Sequence, residues 1–429
     1  MKKFMFFLAG LVSLSVVFLT SCDGDDEPDT IIEDPCANVT CAAGEVCASG
    51  TCIDTTSAPV DVIVVTSNIS ENTTWTAGKT YVLGGRISVL DGATLSIEPG
   101  VVIKGQAGTG ANATALLVAR GGMLMAEGTA ELPIIFTSIA DEITPADVAA
   151  GNYQSPNLEP TVNGLWGGVI VCGRAPISAS NSSGDVNQVQ IEGIPTSDAN
   201  GLYGGDQPDD NSGVIRYISI RHGGTNIGAG NEINGLTLGG VGSGTVIENV
   251  EVVANQDDGV EWFGGTVNVS NVVVWNAGDD AIDTDQSWAG TLDNFVVVTP
   301  AGHCFELDGP EGSYEAGHVI QNGTIIASNS DQISQDLINV DNNSIVDLRN
   351  LTFLGIYSDP ASDAYQRINR VTAAGVTFTD ILLDVDPASL ANYVNGAVPA
   401  GVSAGNTLKA DVSGMTWTWA SQAGGLDGL

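Results

Sequence analysis

Short runs of alternating apolar and polar residues recur through most of this chain, with Gly, Asn, Asp or Pro between them. RISVLDGATLSIEPGVVIKG (residues 86–105) shows the pattern, and ARGGMLMAEGTAELPIIFTS (119–138) repeats it. Alternation of this kind marks half-buried β-strands bounded by turns. In the second half the rhythm acquires a marker. Asn249, Asn271, Asn294, Asn322 and Asn350 follow one another at intervals of 22, 23, 28 and 28 residues. Their frames are IENVEVV, VSNVVVW, LDNFVVV, IQNGTII and LRNLTFL, so a β-branched or apolar strand follows each asparagine. One strand per ~20–30 residues, with no helical period between, is the pattern of a solenoid. The expected fold is all-β: one parallel β-helix over residues 60–420.

The asparagines have a structural reading of their own. A turn buried between coils leaves backbone donors and acceptors to be satisfied, and a stacked amide side chain does this from coil to coil. Asparagine also tolerates the left-handed backbone conformation that a tight bend requires. Asn249, Asn271 and Asn294 are therefore expected to stack directly, and are assigned to structure. Two stretches break the rhythm, 139–164 and 179–213, both rich in Pro, Asn, Asp, Ser and Gly. They read as loops projecting from the coil, where solenoids place binding surfaces. Tyr203, Asp206, Asp209 and Asp210 in the second are candidates for a sugar or cation contact, set against plain solvation.

The amino terminus bears on compartment. Lys2 and Lys3 precede an apolar stretch from Phe4 to Leu19, short for a membrane span and normal for a secretory signal over residues 1–21. The stretch ends in Leu19-Thr20-Ser21-Cys22, which resembles the lipobox of bacterial lipoproteins; that resemblance implies lipidation at Cys22. Asp23-Gly24-Asp25-Asp26-Glu27 follows. It resembles the surface-export signal of Bacteroidota lipoproteins, with a solvated linker as the alternative. Residues 22–35 then read as a lipidated, acidic tether. The expected location is the outer membrane, lipid-anchored and facing the cell exterior, with the membrane contacted through the anchor alone.

Four cysteines, Cys36, Cys41, Cys47 and Cys52, crowd residues 36–54. An exported segment this short cannot bury a core, and two disulfides would stabilise it. Three connectivities are open, and zinc is the weaker competitor because the C-x4-C spacings are wide. Cys172 and Cys304 are expected to be buried as small apolar residues.

Charge narrows the partners. Lys+Arg total 13 against 51 Asp+Glu, a formal net charge of −38; loss of Lys2 and Lys3 with the signal would make it −40. A surface this acidic argues against nucleic acid and suits cations or neutral partners. Solubility alone is the other reading.

Candidate chemistry lies in three successive repeats: NQDDGVEWFGG from Asn255, NAGDDAIDTDQ from Asn276 and AGHCFELDGPEG from Ala301. Aligned on the asparagine offsets they form columns. One is Asp258, Asp280, His303; a second is Glu261, Asp283, Glu306; a third is Phe263, Asp285, Asp308. Neighbouring strands lie ~4.8 Å apart. Two unit charges at that distance repel by ~3 kcal/mol at an effective dielectric near 20. Only His303 interleaves a basic group. The columns need relief by a bound cation, by protonation, or by splaying into water. Hard oxygen ligands suit Ca²⁺ at Glu261, Asp280, Asp283, Asp285, Glu306 and Asp308. Paired carboxyls with raised pKa suit acid/base chemistry on a glycosidic bond.

Two further resemblances bear on this. The segments at 86–105, 119–138 and Leu165–Val169, with INGLTLGG (233–240) and the closing MTWTWA (415–420), resemble right-handed parallel β-helix domains of Bacteroidota surface lipoproteins. NQDDG, GDDAID and AGH resemble the catalytic repeats of polygalacturonase-type glycoside hydrolases. That likeness implies catalytic roles for Asp258, Asp279, Asp280 and His303. The Arg-x-Lys substrate clamp of that family is absent here, and a lyase would need a basic residue that no nearby sequence supplies. The expectation is a surface lipoprotein whose rigid β-helix binds extracellular glycan or matrix, with Ca²⁺ at the acidic columns. The competing class is a polysaccharide-degrading enzyme, hydrolase before lyase.

Overall fold

The computed structural model describes residue 40 and residues 45–48, 51–54, 62–227, 233–330 and 332–429. Cys22, Cys36 and Cys41 lie outside them, as do the signal segment and the tether. Glu45–Ala48 and Thr51–Asp54 form an antiparallel hairpin that sets Cys47 opposite Cys52. Cys172 and Cys304 are free and buried. Burial pushes both thiols up to about 12, which leaves them inert. Among the described residues no helix is long and apolar enough to cross a membrane.

From Val62 onward the chain winds as a parallel β-helix. A 15-stranded sheet and an 8-stranded sheet run along it, and every strand pairing within them is parallel. The long sheet is two faces joined at a bend. Met123–Glu127 and Ile134–Ser138 are separate strands, yet both pair with the single strand Gly213–Arg221. In Gly213–Arg221 and the later long strands, one residue with positive φ makes that bend. These residues are Tyr217, Asn249, Asn271, Asn294, Asn322, Asn350 and Asp380. The asparagines therefore sit inside the strands rather than ahead of them, because both arms of the bend keep their ladder hydrogen bonds. The flanking register stacks all seven in one column. The third face is the 8-stranded sheet, which includes Leu236–Gly239, Val260–Phe263, Ile282–Asp285 and Phe305–Leu307.

Alternate residues of all three faces point inward and stack in columns. Val250, Val272, Phe295, Leu351 and Ile381 form one, all fully buried. Gly323 completes it: a Cβ there would lie 2.3 Å from Phe295 Cζ, so the glycine makes room for the ring. Trp262 and Trp288 stack in the same core at 4.6 Å. Each such side chain contributes about 1.5–3 kcal/mol by leaving water.

The two irregular stretches do not project freely. Ile143, Val148 and Tyr153 are buried against Val102 and Ile135. Ile177, Ile191, Ile194 and Tyr203 cover Ala115, Leu117, Ile170 and Cys172 on the outside of the short sheet. They carry enough apolar side chains to fold down as covers. The carboxy-terminal segment does the same over the long sheet. It runs back along the coil from Thr407, bonded to Thr352 at 2.5 Å, through Asp411 at Asn294, to Ala420 at Glu251. Met415, Trp419 and Leu426 bury Val253, Val273, Trp275, Val296 and Val298 beneath it.

Candidate functional site

The acidic residues occupy the outer side of the short sheet just past the cover. The three repeats each leave the long strand through a left-handed residue, Ala254, Asn276 and Thr299. Asn255 closes the first turn by donating to the carbonyls of Asp258 at 2.9 Å and Ile233 at 3.1 Å. The strand that follows turns Val260 and Trp262 inward, so Glu261 and Phe263 face out. Register then builds the expected columns: Glu261 opposes Asp283, Asp283 opposes Glu306, and Phe263 opposes Asp285.

In the first column the carboxylates tie coil to coil. Asp258 Oδ1 accepts the backbone N–H of Asp280 at 2.9 Å, and Asp280 Oδ1 accepts that of His303. His303 Nδ1 also meets Asp280 Oδ2 at 3.2 Å. Asp258 is 8% exposed and Asp280 only 1%. Burial, then the charges of Asp257, Glu261 and Asp280, push the Asp258 carboxyl well above the usual range. For Asp280 burial pushes upward too, but hydrogen bonds from His303 and Glu306 and the His303 charge outweigh it and hold the carboxyl low. Burial would pull His303 down, yet the hydrogen bond and charge of Asp280 outweigh it and raise the imidazole. These two form an ion pair.

In the second column Glu261 and Asp283 have no such partner. Glu261 accepts from the amide of Asn234, and Glu306 from that of Asn339 at 3.3 Å. Asp283 Oδ1 is sealed from solvent and has no hydrogen-bond partner. Burial comes first in pushing Glu261 and Asp283 well above the ordinary range; acidic neighbours add to it. Burial and Asp280 push Glu306 up to about 9. Asp285 is raised to about 8 and Asp308 to about 6, again mainly by burial.

Three groups bring ligand atoms within 4.8 Å of one another: Asp258 with Glu261 and Asp283; Asp257 with Asp258 and Asp279; Asp280 with His303 and Glu306. Asp285 and Asp308 stand apart in the third column. Asp341 extends that column, and Arg370 pairs with it at 2.7 Å. The fold thus brings an arginine to the end of the acidic strip, although the sequence places it more than sixty residues past His303. Asn234, Asn255, Asp257, Asn339 and Arg370 complete the surroundings. Asn255 and Asp257 lie within the NQDDG motif; the others come from separate coils and leave no local signal. Beside Gly278 and Ala301 opens a cleft of about 450 Å³, edged by Asn163, Asn276, Asn329 and Gln332.

Tyr203 is 2% exposed and donates to Gln286 Oε1 at 2.9 Å, so it is a wall of this region and not a sugar contact. His222, buried in a left-handed turn, bonds through Nδ1 to the carbonyl of Val162 and so serves the turn.

A family profile described as a pectate-lyase-like β-helix domain matches residues 67–152 and 154–422. No curated protein matches the chain.

Proposed function

We propose, from the premise that this chain belongs to the pectate-lyase-like β-helix domain family, that its acidic strip binds extracellular polysaccharide with the help of Ca²⁺. A β-helix domain of this family fits a glycan-binding or polysaccharide-acting role. The observation that carries the finer reading is Asp283 Oδ1, buried and unpartnered between two further carboxylates. Hard oxygen donors this close, with no basic side chain among them, suit a divalent cation better than mutual repulsion. Asp258, Glu261 and Asp283 would hold the ion. Sugar oxygens would complete its shell, and the ion would offset the repulsion that a protein of net charge −38 exerts on an anionic glycan.

A second reading, hydrolysis, has one observation in its favour. Glu306 keeps its proton near neutral pH beside ionised Asp280, the split that acid/base pairs use. Burial of Asp258 and Asp280 and their use as ties between coils favour binding, since a catalytic carboxylate must reach the substrate. In this reading the chain is held to the outer membrane by acyl chains on Cys22, facing outward; the right-handed, Bacteroidota-type lipoprotein assignment and the Cys36, Cys41, Cys47 and Cys52 disulfides belong to the same proposal.

The deciding experiment titrates Ca²⁺ into metal-free protein and then measures retention on polygalacturonate and on a neutral glucan. A rise in Tm with Ca²⁺ and calcium-dependent retention are expected. An unmoved Tm overturns the cation. Release of reducing ends, lost in Glu306→Gln, would replace binding by hydrolysis. Membrane retention of Cys22→Ala equal to wild type would remove the anchor.

A further inference from the structure

We infer that a second sugar site, for a neutral hexopyranose, lies outside the acidic strip, in the groove between the hairpin 179–186 and Tyr314. The cavity there measures about 860 Å³. Its floor is apolar and buried, made by Ile177 and Ala179, with Val186 on its wall. Its rim carries the exposed amides of Asn187 and Gln188. Tyr314 stands at one side with 39% of its surface in water.

An exposed tyrosine alone is ordinary. The backbone that carries this one is held in place. Asp185 binds Ser313 through both oxygens, to the backbone N–H at 3.1 Å and to the hydroxyl. On the other side Ser287 Oγ donates to the Tyr314 carbonyl at 3.2 Å, and Gly312 N–H donates to Ser178 Oγ at 3.0 Å. The backbone on both sides of the ring is pinned, so little backbone freedom is lost when a ligand covers it. A concave apolar floor, one exposed aromatic face and a few planar amides match the apolar faces and hydroxyl edges of a pyranose. Charge selects among sugars. The groove lining contains Asp185 and no basic side chain, so a uronate or sulfated sugar would meet only repulsion. The ligand is neutral, and its binding needs no cation.

The experiment uses the full chain in EDTA, which removes the cation that the acidic strip depends on. Cellohexaose, mannohexaose and laminarihexaose are titrated calorimetrically, with hexagalacturonate alongside. At least one neutral hexasaccharide should bind, Tyr314→Ala should weaken it about tenfold, and Tyr314→Phe should keep it within about threefold, because the ring face does the stacking. An unchanged Tm for both variants excludes misfolding. Asn187→Ala, at the rim and away from the packed floor, provides a second probe and should also weaken binding. The inference is overturned if no neutral sugar binds, if Tyr314→Ala and Asn187→Ala bind as wild type, or if hexagalacturonate binds as tightly as the neutral sugars. A calcium titration that leaves Tm unmoved would sink the strip and leave this site standing.

Discussion

Asn294 donates from its amide to Asn271 Oδ1, 2.8 Å away on the preceding coil, with both backbones left-handed at φ 55° and 57°. Asn294 does more than its neighbours. Its amide also donates to the carbonyl of Asp411, and its Oδ1 accepts the Asp411 N–H at 2.7 Å. One side chain therefore joins two coils and the returning carboxy-terminal segment. Asn294→Ala should cost about 4–5 kcal/mol, the sum of ~1–2 for a left-handed alanine and about 1 for each of the three hydrogen bonds lost. Asn294→Gly should cost less, since glycine adopts the bend without strain. Urea unfolding would read both, and a glycine variant less stable than the alanine one would remove backbone geometry as the reason for the ladder.

The second prediction concerns the end of that returning segment. Arg221 and Glu251 are both fully buried, 3.6 Å apart, under the Trp419 ring at 4.9 Å from the guanidinium. Ala420 N–H meets Glu251 Oε1 at 2.8 Å. Trp419→Ala would open this pair to water and leave a cavity, at about 3–5 kcal/mol. Deleting residues 406–429 should go further. It uncovers Val253, Val273, Trp275, Val296 and Val298 as one apolar face, and such faces associate. Light scattering on warming should show earlier aggregation; a truncated chain with wild-type Tm and solubility would mean the segment covers nothing that needs covering.

How legible was this from sequence? Stacking followed from Asn249, Asn271 and Asn294, because asparagine tolerates the bend and repeats at the coil length. Tyr217 and Asp380 make the same bend without being asparagine, so the ladder is longer than its marker. A second left-handed column, His222, Ala254, Asn276 and Thr299, left no pattern because four residue types fill it. The register of Glu261, Asp283 and Glu306 was readable, since parallel coils keep equal offsets. Asn234 keeps that offset too, 24 residues before Asp258, but carries no charge to single it out; Asn339 and Arg370 were not readable, because longer insertions separate them from the acidic repeats. Nor were the covers: a loop rich in Pro, Asn and Ser hides how few apolar residues suffice to fold it down, as Ile177, Ile191 and Ile194 do.

A third prediction is the pH profile of the metal-free protein. Glu306, Asp285 and Asp308 are raised to about 9, 8 and 6, from ordinary values of 4.5, 3.8 and 3.8. Between the ordinary and raised values the unfolded chain has lost protons that the folded chain keeps, so stability falls as pH rises. His303, raised by Asp280, acts in the same direction: its contribution is full below its ordinary 6.5 and is lost above. Asp280, held low, opposes them only below about pH 4. In EDTA, Tm should therefore fall steadily from about pH 5 to about pH 9. Glu306→Gln, neutral at every pH, should flatten the upper part of that slope, and an unchanged slope would show that Glu306 does not titrate there.

The last prediction separates a cation from mere repulsion at Asp283. Asp283 is the middle member of its column, between Glu261 and Glu306, and its Oδ1 has no partner. Without metal, Asp283→Asn removes one charge from a crowded, desolvated row and should stabilise the chain at pH 8. With millimolar Ca²⁺ the order should reverse. Wild type should gain about 2.7 kcal/mol at a hundredfold excess over Kd, and the variant, short of one ligand charge, should gain less. The two Tm curves against calcium concentration should cross. Parallel curves that never respond to Ca²⁺, with the variant always higher, would mean that the column relieves its repulsion by keeping protons and holds no ion.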